Sequence, residues 1–276
     1  MIISLYHYTG RCTMVIVVIM VIMVIMMYII LYNNYHRYPD SIIRSINKDF
    51  NYYIEKNIPF ILDKNLNIDT IINKQILLNK YGNHIINIVD SFNKLDHDSL
   101  PMEKKVTLNY FINNTIINNK DKFYLKSEDE YNFLDEIGLF KTIINCFSTF
   151  HPRFTHQQLS FWYGPRDSIT PFHYDTDHAN LLYIIEGRKR IYLIHPKYNK
   201  YMKGNTTIQP GASWSEDTLK DIIQNKNIKY QEIILEKNQL LNIPRYWWHA
   251  IINLETTMAV TYHYYTASYF LFNSFL

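Results

Sequence analysis

Polarity almost vanishes near the start of the chain. From Cys12 to His36 there is no Lys, Arg, Asp or Glu, and Thr13 to Tyr32 is a nearly unbroken run of Val, Ile and Met. Twenty helical residues rise about 30 Å, the thickness of a bilayer core, and a helix packed on a protein surface is seldom apolar on every side. The run ends in Tyr-Ile-Ile-Leu-Tyr-Asn-Asn rather than in the small residues of a cleavage site, so the pattern predicts an uncleaved membrane anchor over 13–32 behind a short tail, 1–12. Beyond it the apolar positions become periodic. Ser41–Asp49 and Asp69–Lys80 follow helical spacing, the second with Ile72 and Ile76 one turn apart; His84–Val89 reads as a strand; Thr107–Asn118 lines Leu108, Phe111, Ile112 and Ile116 along one helix face. The stretch 33–120 is therefore read as mostly helical. Downstream the period shortens: Asn180-Leu-Leu-Tyr-Ile-Ile-Glu and Lys189-Arg-Ile-Tyr-Leu-Ile-His-Pro are β-rich apolar segments joined at Gly187-Arg188, which reads as a hairpin. Ser215-Glu-Asp-Thr, followed by Leu219, Ile222 and Ile223, marks a capped helix.

Composition narrows the function classes. After the anchor about 240 residues remain, enough for one β-rich domain with a helical extension. The formal charge of +3 and the lack of a basic stripe or RNA-binding motif give no nucleic-acid signal. Two cysteines, Cys12 and Cys146, exclude a disulfide framework and suit a reducing compartment. Arg11 precedes the apolar run while Arg37, Arg44 and Lys48 follow it, so the positive-inside rule places the large domain in the cytoplasm of a single-pass membrane protein. Asn113-Asn-Thr and Asn205-Thr-Thr match the glycosylation pattern and keep a lumenal orientation open.

The candidate chemistry lies in Thr170-Pro-Phe-His-Tyr-Asp and Ile243-Pro-Arg-Tyr-Trp-Trp-His. Strand side chains alternate faces, so His173 and Asp175 reach one metal from one side while Tyr174 points away. A third ligand, His249, arrives 76 residues after His173 from a distant segment that folding brings alongside. Two imidazoles and one carboxylate hold one face of a metal and leave the opposite positions open, as a non-haem Fe(II) oxygenase requires. Alternation also sets Lys189 on the face of Ile191 and Leu193, where an ammonium needs an anionic partner. The alternative is that Arg188, Lys189 and Arg190 form a charged hairpin end.

Phe161 to Pro196, with its Trp-Tyr-Gly-Pro, Thr-Pro-Phe-His-Tyr-Asp and closing His-Pro, strongly resembles the JmjC and cupin-like 2-oxoglutarate oxygenases, especially their asparaginyl-hydroxylase branch. Leu240-Leu-Asn-Ile-Pro-Arg-Tyr-Trp-Trp-His resembles the strand that carries the family's distal histidine. The resemblance covers roughly residues 55 to 266. It implies a mainly β fold, a double-stranded β-helix (jelly roll) over 121–276, with the helices of 33–120 packed on its outside. Residue by residue it implies His173, Asp175 and His249 as iron ligands, with Lys189 and Thr170 on the distal carboxylate of 2-oxoglutarate. Tyr124 is matched to a tyrosine touching the same group, Asn180 to an asparagine near the cosubstrate, and His263 to a position that faces it. For His263 the alternative is a satisfied core histidine. His178, an odd number of residues from His173, is left out of the site. Lys237-Asn-Gln replaces the family's Pro-Gly-Asp, and Asn238 tolerates the left-handed turn.

The reading is a membrane-anchored Fe(II)- and 2-oxoglutarate-dependent oxygenase that hydroxylates, or demethylates, a protein substrate. The resemblance also implies that the segment from Lys203 to Trp214 lies near the barrel mouth and helps form the substrate entrance. Two rivals are kept: a catalytically silent cupin-like metal-binding or interaction module at a membrane, and a non-oxygenase cupin, such as an isomerase or a storage domain, that holds another metal.

Overall fold

The computed structural model describes residues 14–28, 42–44, 49–90, 103–118, 123–127, 133–150, 156–209 and 212–265. The chain divides into two compact units, Met1–Pro39 and Asp40–Leu276. In the first, helix α1 covers 14–28. Fifteen residues rise about 22 Å, short of the roughly 30 Å of a bilayer core, and among the described residues no helix is long and apolar enough to cross a membrane. This overturns the single-pass placement expected for 13–32, and with it the membrane attachment and the orientation argument. Residues 13 and 29–32 of that expectation lie outside the described residues.

The second unit is built on two antiparallel sheets. In the larger, the spatial order is β1 (Phe60–Asp63), β12 (Gln239–Ile243), β7 (Ala179–Glu186), β14 (Thr257–Tyr265), β5 (His156–Gly164), β4 (Phe123–Ser127), β2 (Ile85–Asp90) and β3 (Glu103–Thr107). In the smaller it is β11 (Tyr230–Glu236), β8 (Arg188–Ile194), β13 (Trp248–Asn253), β6 (Ile169–Asp175), β10 (Ala212–Ser215) and β9 (Gly204–Gln209). From β5 to β8, and again from β11 to β14, the chain changes sheet at every strand. That alternation is the signature of a cupin or jelly-roll-like fold.

It also corrects the expected hairpin. β7 and β8 lie in different sheets and never pair, so Gly187 is a corner. The corner demands glycine: φ is +83°, and a Cβ there would collide with the Thr256 carbonyl oxygen. A second sheet-to-sheet corner, between β11 and β12, uses Asn238 at φ 65°, the left-handed conformation read from the sequence.

Strand alternation sorts the two faces. Leu182, Ile184, Ile191, Leu193, Ile233, Leu235, Leu241, Ile243 and Ala259 meet between the sheets, with Ile61 and Trp247, as one buried cluster. Residues of opposite parity face outward under helices. Tyr183 and Tyr262 pack against Phe147, which follows α7 (Phe140–Cys146), and the Tyr183 hydroxyl donates to Asn238 Oδ1. Outside the smaller sheet, Phe172, Tyr192, Ile194, Trp248 and Ala250 pack with Ile222 of α8 (Leu219–Gln224). Thr218 and Asp221 close a reciprocal capping box on α8.

The segment before β4 mixes helices with strands β1 to β3. Ile43 forms a parallel bridge to Phe60 rather than a helix, its neighbours 45–48 lying outside the described residues, and Asp49 caps α2 (Phe50–Glu55). The helix expected over Asp69–Lys80 is two pieces, α3 (Ile68–Ile71) and α4 (Lys74–Tyr81). Between them Ile72 is extended, and the Asn73 side chain accepts from Ile76 N–H to start the second piece. Thr107 caps α5 (Leu108–Phe111), which continues as a π-helical turn, Ile112–Ile117, and the short α6 (Phe133–Glu136) follows β4.

Candidate metal centre and its pocket

Antiparallel pairing of β6 with β13 sets His173 directly opposite His249. Their ring centroids are 4.1 Å apart, and Asp175, two residues along β6, projects to the same side. One ligand atom from each of His173, Asp175 and His249 lies within 4.8 Å of the others. The imidazole protons can be assigned by chemistry. His173 Nδ1 lies 2.9 Å from the Pro171 carbonyl oxygen and His249 Nδ1 lies 3.0 Å from that of Trp247, and a carbonyl only accepts, so each Nδ1 carries the hydrogen. In the neutral ring Nε2 then presents a lone pair. Burial, and next the neighbouring His249, hold the His173 imidazole well below its usual pKa, in the neutral form.

The Nε2 atoms sit 3.9 Å (His173) and 3.6 Å (His249) from the carboxylate oxygens of Asp175. The His173 contact is not an ion pair, because its neutral imidazole offers a lone pair and no proton toward the oxygen. Three electron-pair donors turned toward one another repel unless a cation lies between them, so this donor set fits a metal ion. Asn180 Nδ2–H donates to Asp175 Oδ2 at 2.7 Å and fixes the carboxylate. Trp214 of β10, paired with His173 in register, stacks on its imidazole at 4.5 Å and 16°.

Thr170 reaches the same cavity although it stands three residues from His173, the wrong parity for a regular strand. The reason is an irregularity in register: His249 pairs with His173 and Ile251 with Thr170, so three steps on β6 oppose two on β13. Pro171, which has no N–H for the ladder, lies inside the step.

The cavity between the sheets, about 140 Å³, is lined by all eight residues singled out from the sequence: His173, Asp175, His249, Lys189, Thr170, Tyr124, Asn180 and His263. Its size suits a small molecule rather than a drug-sized ligand, which takes about 300–1,000 Å³. Lys189 is buried, and its ammonium donates to Asn253 Oδ1 at 3.0 Å. Burial pushes its pKa down to about 8. Among the described residues no carboxylate pairs with Lys189, so its charge suits a small anion. Asn253 is itself held by Nδ2–H bonds to the carbonyls of Gly164 and Pro165. His263 meets Asp177 at 2.6 Å on the cavity wall. His178 lies outside the lining, beside Arg245, with its pKa lowered to about 4 by burial and then by that guanidinium.

Sequence reading did not single out Asp177, Trp162 or Asn253, and it had Trp214 only as the end of the proposed entrance segment. Trp162 stands in the Trp-Tyr-Gly-Pro block, and Asp177 lies two residues past Asp175, so both had a local signal. Trp214 and Asn253 acquire their positions through pairing with His173 and Lys189, which no local pattern carries. Of the proposed entrance, Lys203–Trp214, the side chains of 205–212 lie outside the described residues, while Trp214 lines the cavity.

A family model for the cupin-like domain matches residues 49–269. Among curated proteins, the chain is 29% identical over 111 residues to lysine-specific demethylase JMJ30 of Arabidopsis thaliana, covering 38% of this chain and 25% of that protein. It is 29% identical over 154 residues to JmjC domain-containing protein C of Dictyostelium discoideum, covering 52% and 36%. With HSPB1-associated protein 1 of Bos taurus it shares 26% identity over 130 residues, covering 45% and 26%. The matched segments span about a quarter to a third of the length of these relatives.

Proposed function

The chain belongs to the cupin-like, JmjC-type domain family, and from that premise we propose that it is an Fe(II)- and 2-oxoglutarate-dependent oxygenase acting on a protein side chain. The observation that carries this reading is a pair of complementary features in one cavity: a His-Asp-His donor set and a buried lysine with no carboxylate partner among the described residues. In the proposed roles His173, Asp175 and His249 hold the iron. The Lys189 ammonium, steadied by Asn253, takes the distal carboxylate of the cosubstrate, and Thr170 adds a hydroxyl from the β6 irregularity. Tyr124 and His263 complete the cosubstrate wall, and Asn180 orients Asp175. The chemistry supplied by Fe(II) and 2-oxoglutarate when bound is oxygen activation coupled to oxidative decarboxylation. The protein supplies geometry. The two Nδ1–H bonds fix which imidazole nitrogens face the metal, Trp214 keeps the His173 ring from turning, and the apolar cluster behind Leu182 and Ile243 excludes water from the closed end.

The printed name of HSPB1-associated protein 1 states an association, which keeps a binding module as the contrast. Anaerobic calorimetry separates the two. The oxygenase reading expects 2-oxoglutarate to bind one-to-one in the presence of Fe(II), at least tenfold more weakly without it, and not measurably to Asp175→Ala. Metal-independent binding, or none, supports the contrast.

A further inference from the structure

Tyr246 stands in a backbone conformation that its side chain opposes. Among the described residues, those other than glycine with positive φ are Asn57, Asn67, Asp167, Asn238 and Tyr246. The first four are Asn or Asp, which tolerate the left-handed region, whereas a tyrosine at φ 65° is strained. It takes the third position of a β-turn that the Trp247 N–H closes on the Pro244 carbonyl at 3.2 Å, where positive φ calls for glycine or asparagine. Glycine would sit there without strain, so the tyrosine must be held by its surroundings.

Two contacts hold it, and both lead to the metal donors. The β6–β13 ladder ends at the pair His173–His249, so Asp175 lies beyond it, paired on its other side with Ala212 of β10. The Tyr246 N–H, which the turn leaves unused, donates to the Asp175 carbonyl oxygen at 2.9 Å and ties that residue to the turn leading into β13. The Tyr246 ring meets Tyr174 edge-on with centroids 5.8 Å apart, and Tyr174 meets Trp248 at 4.7 Å. Tyr174 separates His173 from Asp175, and Trp248 adjoins His249, so strand alternation sets both rings behind the donor set. The Trp248 indole N–H donates in turn to Asn199 Oδ1 at 2.7 Å. These rings clamp β6 to β13 where their ladder stops.

We propose that Tyr246 is a positioning residue of the metal centre. Its left-handed backbone aims the N–H that fixes Asp175 relative to His249, and its ring, packed against Tyr174, keeps the turn in that conformation. Tyr246 itself lies outside the cavity lining. This rests on the metal-binding half of the oxygenase reading above.

Three substitutions separate backbone from ring. Tyr246→Gly removes the ring and the strain, Tyr246→Ala removes the ring and keeps the strain, and Tyr246→Phe keeps both. The test measures Co(II) affinity of the full chain by calorimetry, the visible absorption band of the bound Co(II), and the melting temperature without metal. Both ringless variants are expected to bind Co(II) at least about fivefold more weakly than wild type with a shifted band, since outer residues of metal sites are usually worth about 10- to 100-fold. Tyr246→Phe is expected to match wild type in affinity and band. Without metal, the Gly variant is expected to melt a few degrees above the Ala variant, the reverse of their order at an ordinary site. A loss below about fivefold in either ringless variant, a comparable loss in Tyr246→Phe, or an Ala variant melting at or above the Gly variant overturns the proposal. A wild type that binds no Co(II), or an Asp175→Ala chain that binds it equally well, instead overturns the donor-set reading and this proposal with it.

Discussion

Burial decides what Lys189 does. Its folded pKa, pushed down to about 8 from an ordinary 10.5, means that the fold favours the neutral amine. The unfolded chain therefore binds more protons between those two values, and stability of the ligand-free protein rises with pH across about 8 to 10.5. Binding of a dianion has the opposite sign, because it requires the ammonium. Affinity for 2-oxoglutarate is expected to be level below about pH 8 and to weaken about tenfold per unit above it, measured by anaerobic calorimetry from pH 7 to 9.5. Lys189→Arg, charged throughout this range, flattens any profile it retains; a wild-type profile flat to pH 9.5 removes Lys189 from the carboxylate site. The inward face of Lys189 was legible from its alternation with Ile191 and Leu193, and the shared side of His173 and Asp175 from the same rule. Asn253 was not legible, since it stands 64 residues away and meets Lys189 only through the β8–β13 register.

At the level of elements, period-two patterning identified the strands but not their partners. Two apolar segments flanking Gly187 look alike in sequence whether they pair or turn a corner between sheets. What separates the cases is the apolar face each strand must bury, and β7 and β8 are buried along nearly their whole lengths. Gly187→Ala tests the corner. A methyl at φ +83°, against the Thr256 carbonyl, is expected to cost about 2 kcal/mol or more and to lower the melting temperature by several degrees. A melting point within one degree of wild type contradicts it. Thr170 shows the converse failure. Strict alternation turns it away from His173, and the register irregularity around Pro171 brings it back. The helical spacing over Asp69–Lys80 was real, but Asn73, a better cap than interior residue, divides it.

Across the whole molecule, the candidate site exists only when both sheets are assembled. The smaller sheet contributes His173, Asp175, Lys189 and His249, and the larger contributes Tyr124, Asn180 and His263. The three metal donors all stand on the smaller sheet, but they come from β6 and β13, which only folding brings together, so metal binding is linked to folding: at a hundredfold excess of free metal over Kd it is expected to add about 2.7 kcal/mol of stability, lost in Asp175→Ala, and read by denaturant unfolding with and without metal. Equal gains in both proteins place the metal elsewhere. The jelly-roll-like domain was legible because its two motif blocks are long and ordered. The apolar N-terminal run misled because composition alone does not establish a membrane span: among the described residues its helix covers 14–28, and none is long and apolar enough to cross a membrane. The central claim, an oxygenase rather than a binding module, is tested most directly by succinate formation from 2-oxoglutarate with Fe(II), O2 and a pool of peptide substrates. The account predicts Fe(II)-dependent succinate together with a matching gain of one oxygen atom on a peptide, both abolished in His173→Ala; succinate no greater than that of His173→Ala contradicts it.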